Sequence, residues 1–407
     1  MAKGIDYLRA KLAEKKPGVN LRYAYYDMKQ TIRDFGISTP PDLRTWMSTM
    51  GWCAKAVDVL ADRLRVWRFE DDLFDINGIY NRNMKHVLFD SAIKAAMISS
   101  CSFIYIRQGE DDFPVLQVLE GSRATGIMDE RTGMLTEGYA VLEQDAAGMP
   151  VTEGYFEPGH TTFYQPGRAP WTVDNPAPWP LLVPVVNRPD AKRPFGHSVI
   201  SRACMSLMGS AIRTVKRSEI AAEFYSYPQK YVTGLAQDAE RMDKWKSTMS
   251  AMMTFTKDED GDKPTPGQFS QQSMQPHCDQ IRLFASLFAG ETGLTLDDLG
   301  FVSDNPSSAD AIKASHETLR LKARKAQEDI GNGLINAGYL AACLRDDYAY
   351  SRDQLYMTTI AWDPVFEPDV SQLGMIGDAI IKLAQAAPGY LSDSAIHMLT
   401  GIKGANE

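Results

Sequence analysis

Apolar residues follow two periods along this chain. Through the first hundred residues and again beyond residue 198 they recur at three and four, the spacing that lines up one face of a helix. Between Ser102 and Val186 they recur at two, as in half-buried strands. The segment opened by Pro40 and Pro41 carries Trp46, Met50, Cys53, Val57, Leu60, Ala61 and Leu64 at helical spacing. It predicts a helix to about Arg65, with Asp62 ending it and a strand starting over 63–67. A second helix fits 83–99, with Val87, Ala92, Ile93, Ala96 and Met97 as its inner stripe.

Four short strands stand out in the middle, at 103–106, 115–118, 138–142 and 161–164, separated by Gly and Asp clusters. They predict an antiparallel β unit. The proline-rich stretch from Pro166 to Pro194 reads as irregular chain, because proline removes a ladder donor.

Helical spacing returns at Ser198. Ile200, Cys204, Leu207, Met208, Ala211, Val215 and Ile220 share a face, while Arg202, Arg213, Lys216 and Arg217 lie elsewhere. This helix ends near Tyr227, since Pro228 disfavours helix in the residue before it. A strand over 229–233, a turn at Gly234 and a helix over 238–253 follow, then a polar, turn-rich span over 257–266. Another helix is predicted over 276–290, with Ile281, Phe284, Ala285 and Phe288 on one stripe. A connector over 293–307 holds two glycines and Asn305-Pro306. Ser307 then caps a long helix over 309–344, with Asp310 as a capping-box-like partner. Its stripe is Ile312, Leu319, Ala323, Ala326, Ile330 and Leu334, and Lys313, Arg320, Lys322, Arg324 and Lys325 make it basic. A strand over 355–360 and helices over 370–386 and 392–400 complete the chain.

Length and composition narrow the function classes. With 407 residues the chain can build two or three compact units. At 44% apolar and 23% charged residues it is neither disordered nor a membrane protein in composition, and no apolar run is long enough for a bilayer. Its start lacks the apolar region of a signal peptide, so synthesis in a cytoplasm is expected. Five scattered cysteines without a CxxC read as small core residues, and six dispersed histidines make no metal set. The net charge of −9 argues against a tight grip on nucleic acid, which needs cations to displace counterions. It leaves room for a weakly interacting wall along which a duplex passes.

No enzyme signature is present: no Walker loop, GxSxG, HExxH or dinucleotide fingerprint. Catalytic, cofactor and metal residues are therefore not assigned. Gly331-Asn332-Gly333 lies inside a helical pattern and reads as a local helix weakness. Residues 258–262 resemble a calcium loop, but Gly261 stands at the fourth position and Phe269 replaces the bidentate acid, which leaves a solvated acidic turn. Pro306 bars Asn305 as a glycosylation site. The basic run over 313–325 has two readings. One is a solvated face with Lys313–Glu317 and Lys325–Asp329 pairs; the other is a contact with phosphate or a neighbouring subunit.

Three segments in order resemble the portal proteins of long-tailed phages. They are WCAKAVDVLADRLRV (52–66), YSYPQKYVTG (225–234), and GLTLDDLG (293–300) followed by DNPSSADAI (304–312) and the basic helix. The likeness spans about residues 40–345; Leu294 stands where family members often have proline. The resemblance implies an α+β portal fold. Residues 1–197 would form the wing (helical over 1–101, antiparallel β over 102–197), 198–227 and 276–292 the stem, and 228–275 the clip. Residues 293–307 would form the channel loop, 308–360 the long wing helix and strand, and 361–407 the crown. Asp297, Asp298, Asp304 and Asn305 would belong to the channel loop. Arg213, Lys216, Arg217, Lys313, Arg320 and Arg324 would contact the channel or the next subunit. Lys257, Asp258, Glu259 and Asp260 would meet the motor or adaptor.

The implied assembly is a homo-oligomeric ring, usually a dodecamer, at the portal vertex of a virion capsid, made in the host bacterial cytoplasm. Its implied partners are double-stranded DNA, the terminase large subunit, a head-completion or adaptor protein, the major capsid protein and a scaffold, with no membrane and no cofactor. The rivals are another virion structural protein, either adaptor or capsid subunit, and an enzyme whose site forms only in space.

Overall fold

The computed structural model describes residues 3–33, 45–226, 230–233, 265–268, 273–301 and 314–402. Two compact units share the chain: Met1–Gln30, Gly51–Met205 and Gly290–Glu407 form the first, Thr31–Met50 and Ser206–Ala289 the second.

The first unit is α+β. Helix α1 (Ile5–Tyr26) carries seven charged residues and buries only Leu8, Leu12 and Val19. Leu8 and Leu12 pack with Tyr139, Val141 and Tyr155 of the β unit. After α2 (Trp52–Ala61) come β1 (Val66–Glu70), α3 (Ile76–Arg82) and α4 (Lys85–Ser99). Helix α2 is shorter than its sequence stripe. Gly51 precedes it and residues 46–50 are not helical, so Trp46 and Met50 lie outside the helix. Val87, expected inside α4, is 60% exposed, whereas Ala92, Ile93, Ala96 and Met97 are buried.

The β unit has two sheets. Strands β2 (Cys101–Gln108), β3 (Pro114–Leu119) and β9 (Leu182–Val186) form one in the order β3-β2-β9. Strands β4 (Ala124–Met128), β5 (Leu135–Gln144), β6 (Pro150–Glu157), β7 (His160–Tyr164) and β8 (Trp171–Asp174) form an antiparallel meander in sequence order. Two strands thus arise within the stretch expected to be irregular. Strand β9 is buried at all five positions, so it lacks alternation, and Pro184 is tolerated because β9 ends its sheet.

The long helix α7 (Glu317–Arg345) lies on the β3-β2-β9 sheet, and α4 packs on the same sheet. Its described stripe, Leu319, Ala323, Ala326, Ile330 and Leu334, is buried as the spacing requires. Of the two glycines near its middle, Gly333 is a packing device rather than a weakness. A Cβ on Gly333 would come within 2.8 Å of the Pro184 carbonyl oxygen and 2.9 Å of the Val185 Cα. Only a bare backbone lets helix and strand approach so closely. Tyr80 of α3, fully buried, donates to the Leu334 carbonyl at 2.6 Å.

Strand β12 (Thr359–Trp362) pairs antiparallel with β1 and ties the two ends of the unit together. It starts later than its sequence suggested, because residues 352–355 form a 3-10 turn. Helices α8 (Val370–Ala386) and α9 (Asp393–Thr400) follow, capped by Asp369 and Ser392.

The second unit holds most of α5 (Arg202–Ser226) and α6 (Gln275–Thr292), with an antiparallel ribbon of β10 (Lys230–Thr233) and β11 (Thr265–Gln268) between them in sequence. Helix α5 starts at Arg202 rather than 198, because the Ser198 hydroxyl is held by the Met97 and Ile98 carbonyls. Pro266, expected in a turn, stands opposite Val232 in this ribbon. The helix expected over 238–253 and the acidic turn over 257–262 lie outside the described residues.

Candidate functional site

The sequence points to the connector after α6 and to the basic start of α7, and the first unit brings these together. Ser201 donates to Glu291 Oε1 at 2.9 Å, and Lys322 Nζ donates to the Glu291 carbonyl at 3.1 Å. Gly293 follows with a φ of +80°, and its hypothetical Cβ would sit 3.1 Å from Lys322 Nζ. A side chain there would meet both strain and the lysine, so this turn requires glycine. Leu294 is 6% exposed and anchors the turn by burial.

The next residues form a small reciprocal box. Asp298 Oδ2 accepts from the Thr295 amide and hydroxyl, both at 2.9 Å, and the Asp298 amide donates to Thr295 Oγ1 at 3.2 Å. This is the Thr-x-x-Asp form of a capping box, around the 3-10 turn Asp297–Leu299. Gly300 closes it at a φ of +89°. Phe301 then meets Trp52 of α2 edge-on, with ring centroids 6.5 Å apart. His316, at the start of α7, places Nδ1 3.8 Å from Asp298 Oδ2.

Asp297 and Asp298 therefore differ. Asp297 is exposed, while the Asp298 side chain is only 16% exposed and turned into the box. Asp304, Asn305 and Lys313 lie outside the described residues, as do Lys257, Asp258, Glu259 and Asp260.

Beneath this turn lies a recess of about 290 Å³, lined by Arg188, Glu291, Thr318, Lys322 and Lys325 among others. Burial pushes the Lys322 ammonium below its ordinary value, and the nearby Arg188 charge adds to this. Burial likewise pushes the Asp329 carboxyl up, against the pull of Lys325. On the outer face Arg320 turns to Glu317, Nε to Oε2 at 2.7 Å, and Arg324 is exposed. Glu317 thus pairs with Arg320 one turn on.

In the second unit the basic residues of α5 are less accessible than their positions suggested. Lys216 is 8% exposed and Arg213 and Arg217 are half-buried. Arg213 donates to Ser210 Oγ at 2.9 Å. Thr214 of α5 donates to Gln280 Oε1 of α6 at 3.0 Å, so the two helices meet there. Sequence reasoning missed Glu291, Thr295 and His316. The Thr295-x-x-Asp298 spacing was a readable signal for the box; Glu291 and His316 act through atoms that only the fold brings near.

Cys53, Cys101, Cys204 and Cys343 are buried, as small core residues should be, but Cys278 on α6 is exposed. No group of three His, Cys, Asp or Glu side chains among the described residues could hold a metal, and none of the described helices is long and apolar enough to cross a membrane.

No family model matches the chain. The portal protein of Mycobacterium phage D29 is 22% identical over 386 residues, covering 88% of this chain and 78% of that protein. The portal protein of Mycobacterium phage L5 is 22% identical over 367 residues, covering 84% and 74%. Among solved structures, a chain of the native gene transfer agent virion is 15% identical, covers 95% of this chain and 99% of its own, and gives a TM-score of 0.44. A chain from the neck of the native gene transfer agent particle, computed with C12 symmetry, is 17% identical over 94% and 98%, with a TM-score of 0.44.

Proposed function

We propose that the chain is a portal protein of the tailed-bacteriophage type, one subunit of a ring at a single capsid vertex. Double-stranded DNA enters through the ring during packaging, driven by a terminase motor, and leaves through it at ejection. Head-completion and tail proteins attach to its outer end. The observation that carries this reading is the similarity to two phage portal proteins, each over 84% or more of the chain.

Within this reading residues 1–197 and 308–360 form the wing, α5 and α6 the stem, residues 228–275 the clip, and 361–407 the crown. Residues 293–307 form the loop that narrows the channel. The Thr295–Asp298 box fixes the start of that loop, which leaves Asp297 as the described acid free to face the channel. An acidic chain suits the role. A ring of about a dozen copies, each at −9, repels phosphate and avoids deep wells that would stall a sliding duplex.

Mass photometry of the purified 45.3 kDa chain tests the assembly. A discrete species near twelve copies, imaged as a ring with a hole wide enough for a duplex, is the expected outcome. Closed shells would favour a capsid subunit, and a chain that stays monomeric even inside particles would overturn the reading.

A further inference from the structure

We propose that a polar pocket beside the C-terminal half of α7 is a docking site for the carboxylate of an acidic peptide segment on another protein chain. The pocket has a volume of about 480 Å³ and lies within the first unit. One wall is α7, where Asn332 and Asn336 stand one turn apart on the same face. The other is the 3-10 turn Arg352–Leu355 and the residues just after it.

The unused groups in this lining are donors. Arg352 Nε donates to Asn336 Oδ1 at 3.2 Å. That bond orients the guanidinium. It also settles which way Asn336 points, because only the carbonyl end of an amide can accept. Asn336 is 4% exposed, and its Nδ2 has no partner among the described residues. A buried amide with an unspent donor at a pocket wall is costly unless a ligand or solvent oxygen meets it. Arg352 makes no ion pair among the described residues, so both of its Nη groups are also unspent. Thr358 adds no donor, since its hydroxyl already donates to the Asp71 carbonyl at 3.0 Å.

A carboxylate matches this set. Two Nη groups present the planar fork that meets both of its oxygens, and an amide donor beside the fork takes a remaining lone pair. The phosphates of a nucleic acid match less well. Asp353 lines the same pocket, so its formal charge cancels that of Arg352 and no cationic excess is left to hold a polyanion. A peptide brings N–H groups of its own, for which Asp353 is an acceptor. The surroundings also suit a protein partner. Tyr356, in the lining, is 82% exposed, and Met357 next to it in sequence is 52% exposed. Exposed Tyr and Met beside an Arg are the residue types enriched at protein interfaces.

The pocket belongs to one folded copy, so its test is separate from ring closure. The full-length chain is titrated at low salt with the blocked peptide AAEAA and its twin AAQAA, followed by ligand-observed NMR. The glutamate peptide should bind about tenfold more tightly, the ratio expected for one charge-assisted pair. Arg352→Gln should bring the two peptides level. Arg352→Lys keeps the charge without the fork and should lose most of the preference. Arg131→Gln, at an exposed turn outside the pocket, should lose none. Urea midpoints show whether each variant stays folded, and Arg352→Lys carries the test if Arg352→Gln does not fold. An oligothymidylate should fail to displace the glutamate peptide. Equal affinity for the two peptides in the native chain, a glutamate preference that survives in the folded Arg352 variants, or displacement by the oligonucleotide would overturn the assignment.

Discussion

Helices α7 and α8 come from one chain and end in opposite situations. Helix α7 buries fifteen of its 29 residues and lets β9 approach through a bare glycine; α8 buries none of its 17, although Met375, Ile381 and Leu383 are apolar. The first helix is made by the fold around it. The second stands on its own caps and propensity, as a segment does whose packing partner is not part of the same domain. Glycine marks the contrast: Gly333 in α7 is hemmed by backbone, whereas nothing lies within 4 Å of a Cβ on Gly374 or Gly377 in α8.

The sharpest way to break this contrast is a methyl group. Gly333→Ala should destabilise the first unit by about 2 kcal/mol or more, against the usual gain from alanine in a helix, because the two nearest atoms, of Pro184 and Val185, are backbone. Urea unfolding would measure it, and a neutral result would mean that helix and strand are not so close. Next in size, Tyr80→Phe leaves the Leu334 carbonyl without its buried donor and should cost about 1–2 kcal/mol in the same assay.

Acid should loosen the α1 end of the first unit in a defined direction. Burial works against the Glu137 charge, but the amides of Lys3 and Gly4 and the Tyr155 hydroxyl prevail and hold its carboxyl below the ordinary range. A depressed carboxyl stabilises the fold above its unfolded pKa, and that share is lost as pH falls through the folded value. Protection of α1 against hydrogen exchange, corrected for intrinsic rates, should therefore fall toward low pH, and Glu137→Gln should remove about 1 kcal/mol at neutral pH and flatten the dependence. The smallest effect is the mirror of the first: Gly377→Ala should strengthen α8 by about 0.5–1 kcal/mol, seen as a two- to five-fold rise in its exchange protection. A loss of protection instead would show that α8 is packed on that side.

The two helices also explain what could be read from the residues. The α7 stripe was legible because one face of a long helix is buried and the others are not, so Leu319, Ala323, Ala326, Ile330 and Leu334 keep the period. Strand β9 was hidden because all five positions are buried and Pro184 argues against a strand unless the sheet ends there. Helix α1 was covered only by the general helical reading of the first hundred residues, because three buried residues in 22 leave little stripe to fix its bounds. At the candidate site, Asp297 and Asp298 are alike as residues. Only the Thr295 box separates an exposed acid from one turned inward, and only the fold supplies Glu291 and His316 as neighbours.

The portal reading makes one demand above the rest, that many copies of this chain close a circle at one vertex and nowhere else. Cryo-electron microscopy of assembled particles, reconstructed about a single vertex without imposed symmetry, tests it directly. The account predicts one ring of this chain around the DNA axis, with α5 and α6 of each copy side by side as its wall. Density for this chain spread over the shell, or absent from the vertex through which DNA passes, would contradict it.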